Sequence, residues 1–181
     1  MEDKEIVAQF KEASTRVQTF NVLVKKYQQR IYWHVRKMVI DHDDADDLTQ
    51  EIFIKVWNNL ADFRGDSQLY TWLYRIASNE CLNFLNKKKN KYFIGIDDPS
   101  VSADLAEKLE SSELISGDEI QMKLQKALLK LPDKQRLVFN MRYYDDLSYD
   151  EIASITGTSV GALKASYHLA VKKVEESLTN S

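Results

Sequence analysis

Apolar residues recur every three or four positions over most of the chain, the pattern of helices that each bury one face. From Arg16 to Ile40 they fall at Val17, Phe20, Val24, Tyr27, Ile31, Val35 and Met38, which predicts one long helix. The polar tract Asp41-His42-Asp43-Asp44 interrupts it. A second stripe follows at Ala45, Leu48, Ile52 and Val56, widened by Phe53, Trp57 and Leu60. After the polar turn Asp62-Phe63-Arg64-Gly65-Asp66-Ser67, a third helix is expected from about Ser67 to Lys88. Leu69, Trp72, Leu73, Ile76, Leu82 and Leu85 point inward, and a basic end, Lys87-Lys88-Lys89-Asn90-Lys91, closes it. Further on, Ile120, Leu124, Ala127 and Leu131 mark another helix. Pro132 suits the first position of the next, which carries Leu137, Val138, Met141 and Tyr144 and closes at Asp145-Asp146. Ser148-Tyr149-Asp150-Glu151 reads as a capping box. It opens a short helix, Tyr149–Thr156, that stops at Gly157 in a left-handed turn position. Thr158 or Ser159 caps the last helix, whose apolar face is Val160, Leu163, Tyr167, Val171, Val174 and Leu178.

Composition narrows the class. Hydrophobic residues make up 44% and charged residues 29% of 181, a globular balance, and 5 Gly with 2 Pro argue against a turn-rich β fold. Gly65, Gly95, Gly117 and Gly157 lie between periodic segments, and Gly161 lies just inside the start of the last helix. The single cysteine, Cys81, excludes an internal disulfide framework and a multi-cysteine zinc site. No apolar run approaches the roughly 18 residues of a membrane helix, and the acidic N-terminus is no secretory signal. A cytoplasmic protein is expected. Charge locates a boundary. Residues 1–91 carry 15 basic and 13 acidic groups, residues 92–118 carry 1 and 7, and residues 119–181 carry 9 and 8. The expected fold is therefore all-α: two small helical domains, 1–91 and 119–181, joined by a flexible acidic linker, 92–118. Within that linker, 104–114 has the makings of a helical turn or two.

The pair of helices around Gly157 follows the helix-turn-helix plan, in which the first helix braces the second and the second enters the DNA major groove. The outward face of the second would hold Gly161, Lys164, Ala165, His168 and Lys172, with Ser159 at its cap. Small residues admit the DNA backbone, while Lys164, His168 and Lys172 can meet phosphates or base edges. An αα-hairpin that only packs has the same spacing.

The sequence also resembles a known family. Leu131-Pro132-Asp133-Lys134-Gln135-Arg136-Leu137-Val138-Phe139, then Leu147-Ser148-Tyr149-Asp150-Glu151-Ile152-Ala153, then Ser159-Val160-Gly161-Ala162-Leu163-Lys164 resembles region 4 of a bacterial RNA polymerase sigma factor. Residues 44–57, DADDLTQEIFIKVW, resemble its region 2.2. Phe63-Arg64-Gly65-Asp66-Ser67, Thr71-Trp72-Leu73-Tyr74-Arg75-Ile76-Ala77 and Asn79 resemble regions 2.3 and 2.4. These stand in the family's order and cover roughly residues 16–91 and 119–178. The short form with only regions 2 and 4 is that of the extracytoplasmic-function subfamily.

The resemblance implies a factor that binds core RNA polymerase through the β′ clamp helices and the β flap, and directs it to promoters. It implies no catalytic residue, cofactor or metal. Asp44, Asp47, Gln50 and Glu51, beside Phe53 and Trp57, would meet the polymerase. The acidic residues equally suit a helix N-terminus on their own account. Phe63, Tyr70, Tyr74, Arg75 and Asn79, with Trp72, would hold and read the opened −10 element by stacking and edge contacts. The basic run Lys87-Lys88-Lys89 and Lys91 would track phosphates, though cations also suit a helix C-terminus on their own account. Phe63 and Trp72 also suit the core. Ser159, Gly161, Lys164, Ala165, His168 and Lys172 would meet the −35 element. The family's recognition helix often has several arginines after the lysine matching Lys164; here the run is Ala165-Ser166-Tyr167-His168. Fewer forked donors shift readout toward phosphate contact and DNA shape. An anti-sigma protein is a further implied partner.

Three alternatives stand beside this reading. A stand-alone helix-turn-helix regulator would bind duplex DNA unaided, against near-neutral DNA-facing domains and an acidic linker. A protein-interaction module is another. The His42-Asp43 pair beside Asp41 and Asp44 evokes a metal-dependent phosphohydrolase, but such chemistry needs further converging ligands.

Overall fold

The computed structural model describes residues 1–91, 99–110 and 118–180; the expected punctuation at Gly95 and Gly117 lies outside them. Every regular element among the described residues is helical: α1 (Asp3–Lys11), α2 (Arg16–Val39), α3 (His42–Asn59), a single 3₁₀ turn (Leu60–Asp62), α4 (Leu69–Lys91), α5 (Pro99–Glu110), α6 (Glu119–Leu129), α7 (Asp133–Tyr143), α8 (Tyr149–Thr156) and α9 (Val160–Thr179).

Local chemistry sets most of the boundaries. The Asp41 carboxylate accepts the Asp44 N–H at 3.0 Å and starts α3. Asp118 accepts from the N–H groups of Ile120 and Gln121 and starts α6. Pro132 sits one position earlier than expected, as the cap of α7 rather than its first residue. The α2–α3 corner is sharp. Ile40 takes φ 69° and buries its side chain completely. A β-branched residue in that region is strained by about 1–3 kcal/mol, so the packing around it must hold it there.

One helix escapes the periodic reading. α1 closes over α2 and the 3₁₀ turn, burying Ile6 and Phe10. Phe10 meets Trp57 edge-on at 5.3 Å and Phe20 at 6.3 Å, and Arg16 lies over its ring at 5.2 Å.

Helices α2, α3 and α4 pack on one another, and α6, α7 and α9 enclose a smaller core of Leu128, Leu131, Phe139, Ala170 and Val174. The two expected halves also touch one another. α7 packs on α2, and α8 packs on α4. Leu137, Met141, Leu147, Ile152 and Ile155 join one continuous core with Val35, Leu73 and Ala77. Within the expected linker, residues 99–110 form the three-turn helix α5. Its Leu105 and Leu109 are buried with Ile40 at the end of α2 and Leu129 at the end of α6. An i, i+4 apolar pair that finds a crevice orders a stretch whose net charge alone reads as solvated.

Polar bonds reinforce the contact between the halves. Arg136 of α7 is wholly buried, and its Nη1 donates to the carbonyls of Lys37 and Met38 at 3.0 and 2.9 Å. These are among the last carbonyls of α2, which have no partner inside the helix and sit at the negative end of its dipole. Lys89 of α4 meets Asp133 of α7 at 2.7 Å. Asp145, just past α7, lies 3.1 Å from Lys37 Nζ and 3.6 Å from His34 Nδ1. Burial disfavours the Asp145 carboxylate, but His34 and Lys37 outweigh it and hold its pKa below the ordinary value.

Candidate functional site

Three surfaces carry the residues singled out in the sequence. The first lies on α2 and α3. Asp47, Gln50, Glu51 and Ile54 are exposed and share one side of α3 at helical spacing. Asp44 is half-buried in the first turn, where the dipole favours its charge. Phe53 turns inward, and Trp57 is half-buried against Phe20 and Phe10. Between the helices runs an apolar groove of Phe20, Val24, Phe53, Ile54 and Trp57 with Gln50 at its edge. A broader polar groove adjoins it, lined by Lys25, Tyr32, Trp33, Arg36, Asp46 and Lys108 among others. Trp33 and Ile54 are 41% and 59% exposed, and the sequence reading passed over both. Trp33 falls off the α2 stripe, which is the signal that marked it: a large apolar side chain at a position the core does not claim.

His42 is spoken for locally. Its Nδ1 lies 2.6 Å from the Tyr32 hydroxyl and its Nε2 lies 3.2 Å from Asp46. Among the described residues, no group of three or more His, Cys, Asp or Glu side chains is placed to hold a metal ion.

The second surface is the length of α4 and the turn before it. That turn passes through Gly65 at φ 79°, a region costly for any residue with a Cβ. Phe63 is buried against Trp72, ring centroids 5.2 Å apart. Asn79 and Lys87 are exposed. Lys88 is half-buried 3.5 Å from Asp104 of α5. Lys89, of the same basic run, is buried in its pair with Asp133, and the Lys91 side chain lies outside the described residues. Tyr70 and Arg75 face α8. The Tyr70 hydroxyl donates to Glu151 at 2.7 Å, and the Arg75 guanidinium donates to the Ser154 carbonyl. Tyr74 is 1% exposed, its ring 4.7 Å from that of His34, and burial followed by the charge of Asp145 pushes its pKa up to about 12. The Arg30 guanidinium lies over both tyrosine rings at 5.1 and 5.3 Å.

The third surface is the outer side of α9. Ser148 accepts the Glu151 N–H at 3.1 Å, and Glu151 accepts the Ser148 N–H at 2.9 Å, a complete capping box for α8. Gly157, at φ 73° and ψ 12°, ends α8 as expected. Of the two candidate caps for α9, Ser159 is the one used, accepting the Ala162 N–H at 3.2 Å. Leu163, Ala170 and Val174 bury the inner side of α9, with Tyr167 half-buried between them. This leaves Gly161, Lys164, Ala165, His168 and Lys172 exposed together, with Leu169 among them, 49% exposed. A Cβ on Gly161 would meet nothing within 4 Å, so the fold does not require glycine there. No helix among the described residues is long and apolar enough to cross a membrane.

Comparison with known proteins follows the same division. Residues 23–91 match the model of Sigma-70 region 2, and residues 121–174 match that of Sigma-70 region 4. The chain is 31% identical to the RNA polymerase sigma-H factor of Pseudomonas aeruginosa, over 98% of this chain and 94% of that one. It is 32% identical to the ECF RNA polymerase sigma factor SigW of Bacillus subtilis, over 82% and 83%. It is 35% identical to the ECF RNA polymerase sigma-E factor of Escherichia coli K12, over 81% and 79%. Among solved structures it is similar in fold to CnrH in complex with the cytosolic domain of CnrY, at TM-score 0.70 and 23% identity over 99% of this chain and 98% of that one. It is likewise similar to the sigma factor RpoE of Bartonella quintana in complex with the anti-sigma factor NepR, at TM-score 0.66 and 21% identity over 88% and 96%.

Proposed function

The chain belongs to the sigma-70 family, in its extracytoplasmic-function branch, and from that premise we propose how its surfaces divide the family's work. It is a regulatory factor of transcription initiation that binds core RNA polymerase and directs it to promoter DNA. It acts in the cytoplasm, where the polymerase is, and nucleotide polymerisation belongs to the polymerase.

The α2–α3 surface meets the β′ clamp helices. The acidic row of Asp44, Asp47, Gln50 and Glu51 steers a basic helix, and the Phe53–Trp57 groove buries that helix's apolar side chains. The α4 surface takes the −10 element. Tyr70 and Tyr74 offer rings to unpaired bases, Asn79 offers an amide to a base edge, and Phe63 supports the turn from below. Arg75, Lys87 and Lys88 neutralise phosphates. The outer side of α9 takes the −35 element. Gly161 and Ala165 let the duplex come close, Ser159, Lys164 and Lys172 hold the backbone, and His168 donates to a base or a phosphate. The boundaries 1–91, 92–118 and 119–181 describe working units on the polymerase, and the β flap meets the C-terminal one. An anti-sigma protein restrains the factor between inductions. Support comes from a sigma factor of similar fold found in complex with the anti-sigma factor NepR.

The observation that carries this reading is the juxtaposition on one chain of region 2 and region 4 matches. The region 2 match bears an acidic row beside an apolar groove. The region 4 match bears a capped helix pair whose outer helix exposes a glycine that the fold does not need. Co-elution with purified core RNA polymerase on a sizing column at moderate salt tests it. A stoichiometric complex is expected. A folded chain that elutes apart from the polymerase, yet binds duplex DNA alone, would favour the stand-alone helix-turn-helix regulator.

A further inference from the structure

We propose that α1 is a positioning element for polymerase docking: Phe10 holds the Trp57 ring in the pose that shapes the apolar groove, so a helix that lends no residue to either groove sets the affinity for core polymerase. The proposal rests on the assignment of that groove to the polymerase given above.

Trp57 needs such a support. Its ring is half-buried and forms a wall of the groove. A wide, flat side chain that is open on one side keeps a single rotamer only if its closed side is packed. Here the closed side is aromatic. Phe10 meets Trp57 edge-on at 5.3 Å and 90°, Phe20 meets it at 5.1 Å and 81°, and Phe10 and Phe20 lie 6.3 Å apart. The three rings form a closed triangle, and edge-to-face contacts of this kind fix orientation as well as distance. Phe20 is itself a groove residue, so Phe10, 1% exposed, stands behind two of the groove's three aromatic rings. A wall held in place beforehand need not be ordered when the partner arrives, which strengthens binding.

α1 is fastened at both ends, as a helix of nine residues requires. Near its start the Asp3 carboxylate accepts from the Tyr27 hydroxyl at 2.7 and 2.8 Å and from Lys26 at 2.7 Å. Burial, and then Asp3, raise the pKa of the Tyr27 hydroxyl, which keeps it a donor. At the other end Arg16 donates from Nε to the Phe10 carbonyl at 3.0 Å and lays its guanidinium over the Phe10 ring at 5.2 Å. Between them Ile6 is completely buried. The region 2 match begins at residue 23, so the support for Trp57 comes from residues that precede the matched segment.

Affinity of the full chain for immobilised core polymerase tests this through a double-mutant cycle. Phe10→Leu keeps most of the apolar volume and removes the ring. It should weaken binding about three- to tenfold, and Trp57→Ala should weaken it further, on the order of thirtyfold. With Trp57→Ala in place, adding Phe10→Leu should change the affinity by less than about twofold, because the ring it positioned is gone. Asp3→Ala releases α1 from a part-exposed site and should behave like Phe10→Leu; Asp3→Asn should restore most of the affinity, since an amide oxygen still accepts from Tyr27. In a Trp33→Phe, Trp72→Phe background Trp57 is the one tryptophan left of 3, and acrylamide should quench it more strongly in the free chain once Phe10 is replaced by leucine. If Phe10→Leu melts below the assay temperature, the Asp3 variants decide by the same criteria. Binding by Phe10→Leu within about twofold of the parent, or an equal loss with and without Trp57, would overturn the positioning role and reduce α1 to a cover for the core. Parent-like binding by Trp57→Ala would instead refute the groove assignment itself, and this proposal with it.

Discussion

Replacing Arg136 by alanine removes the cap on α2 and nothing else of comparable strength. The guanidinium donates to two carbonyls at 3.0 and 2.9 Å, in a site from which water is excluded. Asp133 loses a partner at 3.6 Å but keeps Lys89 at 2.7 Å, so no carboxylate is orphaned. A hydrogen bond from a charged donor contributes about 1.5–3 kcal/mol, and the two here share one donor group, so they do not simply add. The carbonyls of Lys37 and Met38 are left buried and unpaired, and the vacated volume collapses only in part. Together these place the loss at about 3–5 kcal/mol, in the range seen when one partner of a buried charged contact is removed. With a urea slope of about 2 kcal/mol/M, the unfolding midpoint falls by roughly 1.5–2.5 M. Because Arg136 joins α7 to α2, the transition should also split, α6–α9 melting apart from α1–α4. Far-ultraviolet circular dichroism in urea reads both effects. Arg136→Met keeps most of the stem and loses the donors, and it should fall nearly as far as alanine. A midpoint within about 0.5 M of the parent for Arg136→Ala, or full recovery by methionine, would show that the guanidinium only fills space.

Four other outcomes follow from the same structure. Asp47→Arg with Glu51→Arg should weaken core polymerase binding with little change in stability, since both side chains are exposed, whereas Lys164→Ala should leave polymerase binding intact and reduce promoter-directed transcription; equal loss of polymerase binding in both would sink the division of surfaces. Gly161→Gln should keep or slightly raise the melting temperature, because a Cβ meets nothing there and glycine disfavours a helix by about 0.5–1 kcal/mol, yet it should cut transcription from −35-dependent promoters. Phe10→Ala should cost about 3–5 kcal/mol by emptying the site between Phe20 and Trp57, measured by chemical denaturation. The Asp145 carboxylate is held below its ordinary pKa by His34 and Lys37, so its contribution is fully present above the unfolded value of about 3.9 and is lost as pH falls through the lower folded value. Asp145→Asn should therefore be less stable than the parent at neutral pH, and the two should converge in acid.

Some of this was legible before any fold was known. The short helix Tyr149–Thr156, its Ser148–Glu151 box, the left-handed Gly157 and the Ser159 cap were all expected where they stand. Each is a contract between residues three or four apart, so the chain carries it locally. The outward set on α9 was legible for the same reason, since helical spacing alone separates it from Leu163, Ala170 and Val174. α1 was not. Of its nine residues only Ile6 and Phe10 are buried, too few to mark a stripe, and it is held by Phe20 and Trp57 from elsewhere. Residues 99–110 read as part of a solvated tether because seven acidic groups dominate residues 92–118, while the crevice that receives Leu105 and Leu109 is built by Ile40 and Leu129.

What the amino-acid order determined by itself is the helical content, most helix ends, which positions face outward on α3 and α9, and the family to which the chain belongs. Period and capping are short-range physics, settled within one or two turns. What only the tertiary structure decided is that the two halves share a core, that Arg136 caps a helix about a hundred positions away, that Tyr70 and Arg75 bond to α8, and that Tyr74 is buried against His34. Those contacts depend on which surfaces meet after the helices have formed. A tyrosine on an apolar stripe has the same spacing whether it faces the core, a neighbouring helix or a base.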